Sequence, residues 1–301
     1  MPYTTVTISN LHREGLKEII NLHEKEAVKQ YLDLVGEEVN TRQAFERFYQ
    51  ISDFGVGLPT TEGNGVVFDA LLPGNQLDVY PVMRTTGFSM TKQAQYTDFY
   101  GVLKRNTKKM ATAMTKTLEL VVANYFYNGF TDTTTIDSVS LFSTAHPLAS
   151  GTIANRPSTE LAFGFLNLES EMQQLRQQKT HRGLPMPFAG GLKVVIPGAL
   201  EGTGRRVMQS SGMAGTNDND VNWVKTRTQL VINDYMSFNS TTAWYLLPSD
   251  NSLNPVRIMR RIPRFTEDDY DIRYQKFLMT MGEEYAVFHA DFRNTRGTLG
   301  A

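Results

Sequence analysis

Apolar residues recur at helical intervals in some stretches of the chain and cluster at strand-like density in others. Over residues 98–128, Phe99, Leu103, Asn106, Met110, Ala113, Met114, Leu118, Val121, Val122 and Tyr125 fall on steps of three and four, the spacing that lines one face of an α-helix. Asp98 is the expected N-cap and Gly129 the expected stop. At 1.5 Å per residue such a helix is about 45 Å long, which suits a spine better than a compact core. Residues 11–35 repeat the pattern with Leu16, Ile19, Ile20, Leu22, Val28, Tyr31, Leu32 and Val35 among many charges, predicting an amphipathic helix to about Gly36. Leu161, Phe165, Leu168, Met172 and Leu175 predict a further helix from Ser158 or Thr159 through Gln178, and residues 199–208 a short one.

Elsewhere the period shortens. Residues 66–68 and 79–90 are β-prone and flank the turn formers Leu72-Pro73-Gly74-Asn75-Gln76, predicting a long hairpin or extended loop with its tip at residues 71–75. A two-stranded ribbon is marginal alone in water, so something beyond the segment must cover it. Residues 45–59 are aromatic but broken by Gly55, Gly57 and Pro59, and read as extended or turn. Residues 190–197 predict a buried strand ended by Pro197; residues 230–232, 243–247 and 256–259 are β-prone, and residues 270–281 and 284–292 form two last segments. Residues 131–158 and 212–222 read as loops. The class is α+β, without regular βαβ alternation.

Composition narrows the chemistry. The 301 residues contain no cysteine, which excludes disulfides and thiolate metal sites. None of the five histidines has a partner at ligand spacing, and His23-Glu24-Lys25-Glu26-Ala27 departs from the zinc-protease pattern. Thirty basic against 31 acidic residues leave a net charge of -1, so contact with nucleic acid is expected to be local or weak. No apolar run approaches the roughly 18 residues of a membrane span, and the N-terminus lacks a signal pattern. No membrane contact is expected, and cytoplasmic synthesis is. The basic cluster Lys104, Arg105, Lys108 and Lys109 reads as a solvated helix face. Glu267-Asp268-Asp269 and Asp271 read as a solvated strand edge, and Trp223 and Trp244 as core anchors.

Neither Gly55-Val56-Gly57 nor Gly202-Thr203-Gly204 extends into a phosphate-binding loop. Ser143 stands three residues before His146, the spacing of a conceivable hydrolase pair, but no nucleophile elbow or third member accompanies it. His146 before Pro147 reads as a structural hydrogen-bonding residue. No cofactor or metal is expected.

Several blocks carry a family likeness. They are the opening Asp98-Phe99-Tyr100-Gly101 of the long helix; Leu141-Phe142-Ser143-Thr144-Ala145-His146-Pro147-Leu148 with Gly151 and Asn155; Gly191-Leu192-Lys193-Val194-Val195-Ile196-Pro197 with Leu200-Glu201; and Asp291-Phe292-Arg293-Asn294-Thr295-Arg296-Gly297. In this order, behind a helical arm and an extended loop, they resemble the major capsid proteins of tailed bacteriophages, closest to the Mu-like major head subunit family. The likeness covers most of residues 45–300.

It implies a Hong Kong 97-type capsid fold: N-terminal arm (1–47), extended loop and flanks (48–95), peripheral domain with spine helix (96–158), axial domain (159–255), and a return to the peripheral domain and C-terminus (256–301). It implies a non-enzymatic subunit that assembles with itself as hexamers and pentamers around double-stranded DNA. It also implies separate scaffolding, portal and decoration proteins as partners, a place in the virion, and assembly in the host bacterial cytoplasm. With Met1 present, no N-terminal pro-segment is expected to be lost. The expected intersubunit contacts are Leu71, Leu72, Pro73, Gly74, Asn75 and Arg84. An encapsulin-like bacterial compartment shares the fold and is the alternative; a hydrolase using Ser143 and His146 is the other. Some shells of this fold join a loop lysine to a neighbour's asparagine. Here no lysine lies between Lys29 and Lys92, and the Arg84 guanidinium stays protonated, so non-covalent closure is expected.

Overall fold

The computed structural model describes residues 15, 16, 18–20, 22, 23, 28–63, 65, 66, 68–71, 73–97, 101–149, 151–188, 190–210, 212 and 221–301. Among these residues the strands form two four-stranded sheets and two strand pairs. The first sheet has the order β1 (Glu38–Asn40), β10 (Val256–Asp271), β11 (Lys276–His289), β4 (Val82–Thr91). β1 runs parallel to β10, and the other neighbours are antiparallel. The pair β2 (Glu46–Ile51) and β3 (Pro73–Val79) projects as a separate antiparallel ribbon.

After β4 comes a short helix α1 (Lys92–Tyr96), and then the spine α2 (Val102–Asn128). The spine is 27 residues long, about 40 Å, and starts later than the periodicity indicated. Asp98, its expected cap, lies outside the described residues. Gly101 occupies the capping position instead, at φ 63°, where a Cβ would be strained. Met110, Met114, Leu118 and Val122 are buried as expected, together with Thr107, Ala111, Thr115, Glu119, Ala123 and Phe126. Ala113 is exposed and Asn106 half-buried, because the buried stripe follows the seam one residue away from them. Leu16 and Ile20 of the arm pack with Met110, Met114, Met279 and Met281, but the expected helix does not run unbroken to Gly36: residues 28 and 29 are not helical, residues 30–33 form a single 3-10 turn, and Leu22, Val28 and Leu32 are exposed.

The second sheet, in the order β12 (Arg296–Thr298), β9 (Trp244–Pro248), β7 (Leu192–Pro197), β8 (Thr228–Asn233), is buried at every position of β7, β9 and β12. A strand covered on both faces reads as a continuous apolar run, as Leu192–Pro197 does. Helices α3 (Phe165–Arg176) and α4 (Glu201–Gln209) contribute Phe165, Leu168, Met172, Val207 and Met208 to a core shared with Val194, Ile196, Trp244 and Leu246. A last one-turn helix, α5 (Val224–Arg227), leads into β8. Trp244 is a core anchor as expected, and Trp223 is half-buried with its ring N–H donating to Glu169 at 2.9 Å. α3 begins at Gly164 without a side-chain cap, not at Ser158 or Thr159.

Three expectations about strands need correction. The turn formers Pro73, Gly74 and Asn75 open β3, and β3 pairs with β2 rather than with β4. β4 belongs to the first sheet instead, opposite β11. The segments at 270–281 and 284–292 are the turn and return of one long hairpin, β10 to β11. β1 pairs only with Ile258–Arg260, so the far half of β10 is an edge, which agrees with the reading of its acidic run.

Candidate functional site

Three features stand out: an exposed ribbon, the root of the arm against the spine, and a buried joint of hydrogen-bonded side chains. The first is the ribbon. Its root is fixed by Phe48, whose ring stacks on Phe288 at 4.5 Å, and by Arg47, which forks onto Asp78 at 2.6 and 2.7 Å across the strands. That guanidinium, hydrogen-bonded to the carboxylate, holds Asp78 below its ordinary range. Beyond Ile51, the described residues of 52–71 carry no strand or helix and expose Phe54, Val56, Leu58, Val66 and Phe68, the last at 93 %. Asp69 shapes this end: it accepts from the Gly55 N–H at 2.6 Å and from Arg182 at 2.7 Å.

The expected contact residues fall around this element but do not form its tip. Leu71 is exposed, and Leu72 lies outside the described residues. Pro73 pairs with Ile51, and Asn75 is exposed in β3. At Gly74 a Cβ would stand 2.6 Å from the Gln50 carbonyl, so the strand crossing needs glycine there. Arg84 is half-buried in β4. It donates to the Tyr285 carbonyl at 3.0 Å and lies 4.4 Å over the Tyr285 ring in its own chain.

The second feature is the root of the arm against the spine. Arg260 and Arg264 hold the fully buried Glu283 at 3.1 and 3.2 Å, and Arg260 reaches Glu38 of β1 at 3.3 Å. Close by, Glu119 of the spine is buried with neither carboxylate oxygen hydrogen-bonded, beside the backbone of Gln30 and Tyr31. Burial pushes its carboxyl up to about 7, against a smaller opposing pull from those backbone amides. A carboxyl raised by folding stabilises fully below its ordinary value near 4.5 and loses that contribution as pH rises through about 7. Glu119→Gln should therefore match the parent near pH 5 and exceed it by about 2 kcal/mol near pH 8, read by urea unfolding of the subunit. A parent with no such alkaline loss would contradict it.

The joint lies between the two sheets. His146 is fully buried, its Nδ1 2.6 Å from Asp137 Oδ2 and its Nε2 3.1 Å from Asn155 Oδ1, and its ring stacks on Phe292 at 3.6 Å. Asn155 also accepts from the Ser143 N–H at 2.8 Å and donates to the carbonyls of Leu141 and Phe292. Burial pushes Asp137 up, but His146, the Thr135 hydroxyl and the Val139 N–H outweigh it and hold the carboxyl below its ordinary range. Arg296 meets Glu171 at 2.5 Å, both buried, and donates to the Ala154 carbonyl. Gln178 accepts from Asn294 N–H, and Glu160 accepts from Thr298 and Leu299. Both ring nitrogens of His146 are thus occupied, and the Ser143 hydroxyl accepts from the Ala145 N–H. The pair has the geometry of a strut, not of a nucleophile and base, as expected for His146. Asp137, Glu171 and Gln178 were not singled out from sequence; no spacing rule marks residues that satisfy a distant turn. No group of three metal-ligating side chains occurs among the described residues.

The family model described as phage capsid protein matches residues 76–297, most of the chain, including the joint and every strand of the two sheets except β1 and the last residue of β12. The chain belongs to that family. A capsid subunit needs no catalytic centre, in keeping with a structural, non-enzymatic chain. The fold of this phage capsid family member is similar to that in the capsid of the empty GTA particle, with a TM-score of 0.60, 11% identity and 91% of each chain covered. It is similar to a virus-like particle from Pyrococcus furiosus at TM-score 0.54 and 8% identity, over 95% of this chain and 98% of that one. Against the capsid of bacteriophage JBD30 the TM-score is 0.53 at 11% identity, over 90% of this chain; the chain spans 65% of the JBD30 chain's length. At such identities the likeness is one of fold, the α+β capsid architecture expected. No curated protein sequence matches the chain.

Proposed function

We propose that this chain is the major shell subunit of a tailed-phage head, assembling with copies of itself as hexamers and pentamers into an icosahedral shell around double-stranded DNA. The family match supports the reading, and the ribbon carries it. An element that exposes Phe54, Leu58 and Phe68 beyond a two-stranded stem has no core of its own, and a neighbouring copy in a closed ring of heterologous contacts would cover it. The division into arm, extended loop, peripheral and axial domains at 47, 95, 158 and 255 belongs to this reading. So do separate scaffolding, portal and decoration proteins, a place in the virion and assembly in the host cytoplasm. The Mu-like placing rests on the sequence blocks alone. Leu71, Leu72, Pro73, Gly74, Asn75 and Arg84 remain the proposed contacts.

Purified protein viewed by negative stain should contain closed shells of uniform diameter. Serine at Phe54, Leu58 and Phe68 together should leave the subunit folded, because all three face solvent. It should reduce shell yield at least about tenfold, the effect of losing roughly 1.4 kcal/mol of contact. Shells recovered at the parent's yield would remove the ribbon from the intersubunit contact.

A further inference from the structure

The spine carries five cations, Lys104, Arg105, Lys108, Lys109 and Lys116, and a single acid, Glu119, which is buried. All five cations are exposed, and none makes an ion pair among the described residues. Three of the four arginines of β10, by contrast, are matched: Arg260 and Arg264 to Glu283, and Arg261 to Glu284. Lys104 to Lys116 spans about 18 Å of helix axis, with four cations grouped at Lys104–Lys109 and Lys116 beyond Thr112, which is hydrogen-bonded to His23 of the arm at 2.7 Å.

The other side of the same layer has the opposite sign. Met279 and Met281 face the spine, with the Thr107 hydroxyl 3.7 Å from the Met279 sulfur. In the register Met279 stands opposite Asp268, Thr280 opposite Glu267 and Leu278 opposite Asp269. Side chains alternate along a strand, so Glu267 and Asp269 point away from the helix, and both are exposed. Thr85, Gly87 and Ser89 of β4 share that open face. The layer therefore runs from a basic helix surface through an apolar methionine seam to an acidic sheet surface. Lys276, opposite Asp271, stands on that open face too, but the face stays net acidic, and a polyanion is drawn to the helix side.

We propose that the basic stripe of the spine is the surface on which the shell meets the phosphate backbone of double-stranded DNA, which makes the helix side the inner wall and the acidic sheet side the outer. This rests on the proposed shell function. The alternative cover is the acidic sheet face of a second copy. Four of the five cations are lysines, flexible point charges without the fork that orients a protein partner. Lysine is depleted in protein interfaces, whereas sequence-independent DNA binding is built from such phosphate contacts. The stripe also reconciles a net charge of -1 with DNA contact, since the positive field is confined to one face.

The test uses the unassembled full chain and a fluorescent duplex of random sequence. Affinity should fall with salt at a log–log slope of roughly −3 to −5, from about 0.9 per neutralised phosphate. Lys108→Gln/Lys109→Gln should reduce the slope by about 2, and glutamine at all five positions should reduce affinity at least about tenfold near 50 mM salt. Glu267→Gln/Asp269→Asn should bind no more weakly than the parent. Equal binding by parent and stripe variants, with circular dichroism showing them folded, overturns the proposal. So does a cryo-EM map of parent shells that places the spine on the outer surface or under Glu267 and Asp269 of a neighbour. Failure to form shells at all would instead count against the proposed function, and the duplex measurement would still decide whether the stripe binds DNA.

Discussion

Arg296→Met is expected to destabilise the subunit by about 3–5 kcal/mol, because it strands the buried Glu171 carboxylate in a site built for an ion pair. Arg296 and Glu171 meet at 2.5 Å and each is 5 % exposed, so water cannot replace the lost partner. The same change removes the donor to the Ala154 carbonyl, which holds the loop ahead of α3 to β12. Thermal unfolding should show a midpoint lowered by roughly 10 °C. Arg296→Met/Glu171→Leu should regain most of the loss, since breaking a buried pair costs far more than removing it whole. A single variant within about 0.5 kcal/mol of the parent would mean that the pair is solvated.

Met114→Asp should be comparably damaging, by about 3–5 kcal/mol. It buries an unpaired carboxylate in the seam of Leu16, Ile20, Met279 and Met281. Lys108→Ala on the exposed face of the same helix should cost under about 0.5 kcal/mol. Urea unfolding of the two variants checks the rotation of the spine directly. Equal losses would mean that the wrong face had been assigned to the core. Met114→Asp should also loosen the arm, because Leu16 and Ile20 pack with the same methionines.

The spine and the strand Leu192–Pro197 were legible because burial imposes a period or an unbroken apolar run on them. The ribbon was legible as an exposed extended element but not in its pairing. At its outer end, where Gly74, Asn75 and Gln76 are exposed, β3 needs no apolar alternation and can begin with Pro73-Gly74-Asn75, residues that ordinarily announce a turn; only Leu77 and Val79 at its root pack with Phe288. Its register is marked by the Arg47–Asp78 fork, a pairing across 31 positions that no local pattern reveals. β10 was read as a short strand at 256–259 because its second half is a charged edge with one face in water. The joint was legible only as a set of blocks resembling a family. Its mechanism depends on Asn155 reaching Leu141, Ser143, His146 and Phe292 at once, which requires the tertiary fold.

The joint also sets an order in time. Phe292, Arg293, Asn294, Thr295 and Arg296 leave the ribosome after the other partners of the joint, yet they stack on His146, bond to Asn155 and Gln178, and neutralise Glu171. Until they emerge, the Glu171 carboxylate lacks Arg296, the His146 ring lacks the face of Phe292, and Asn155 and Gln178 lack part of their hydrogen bonding. A chain cut short of Phe292 is therefore expected to leave the joint open and to fold incompletely, whatever the state of the strands that precede it.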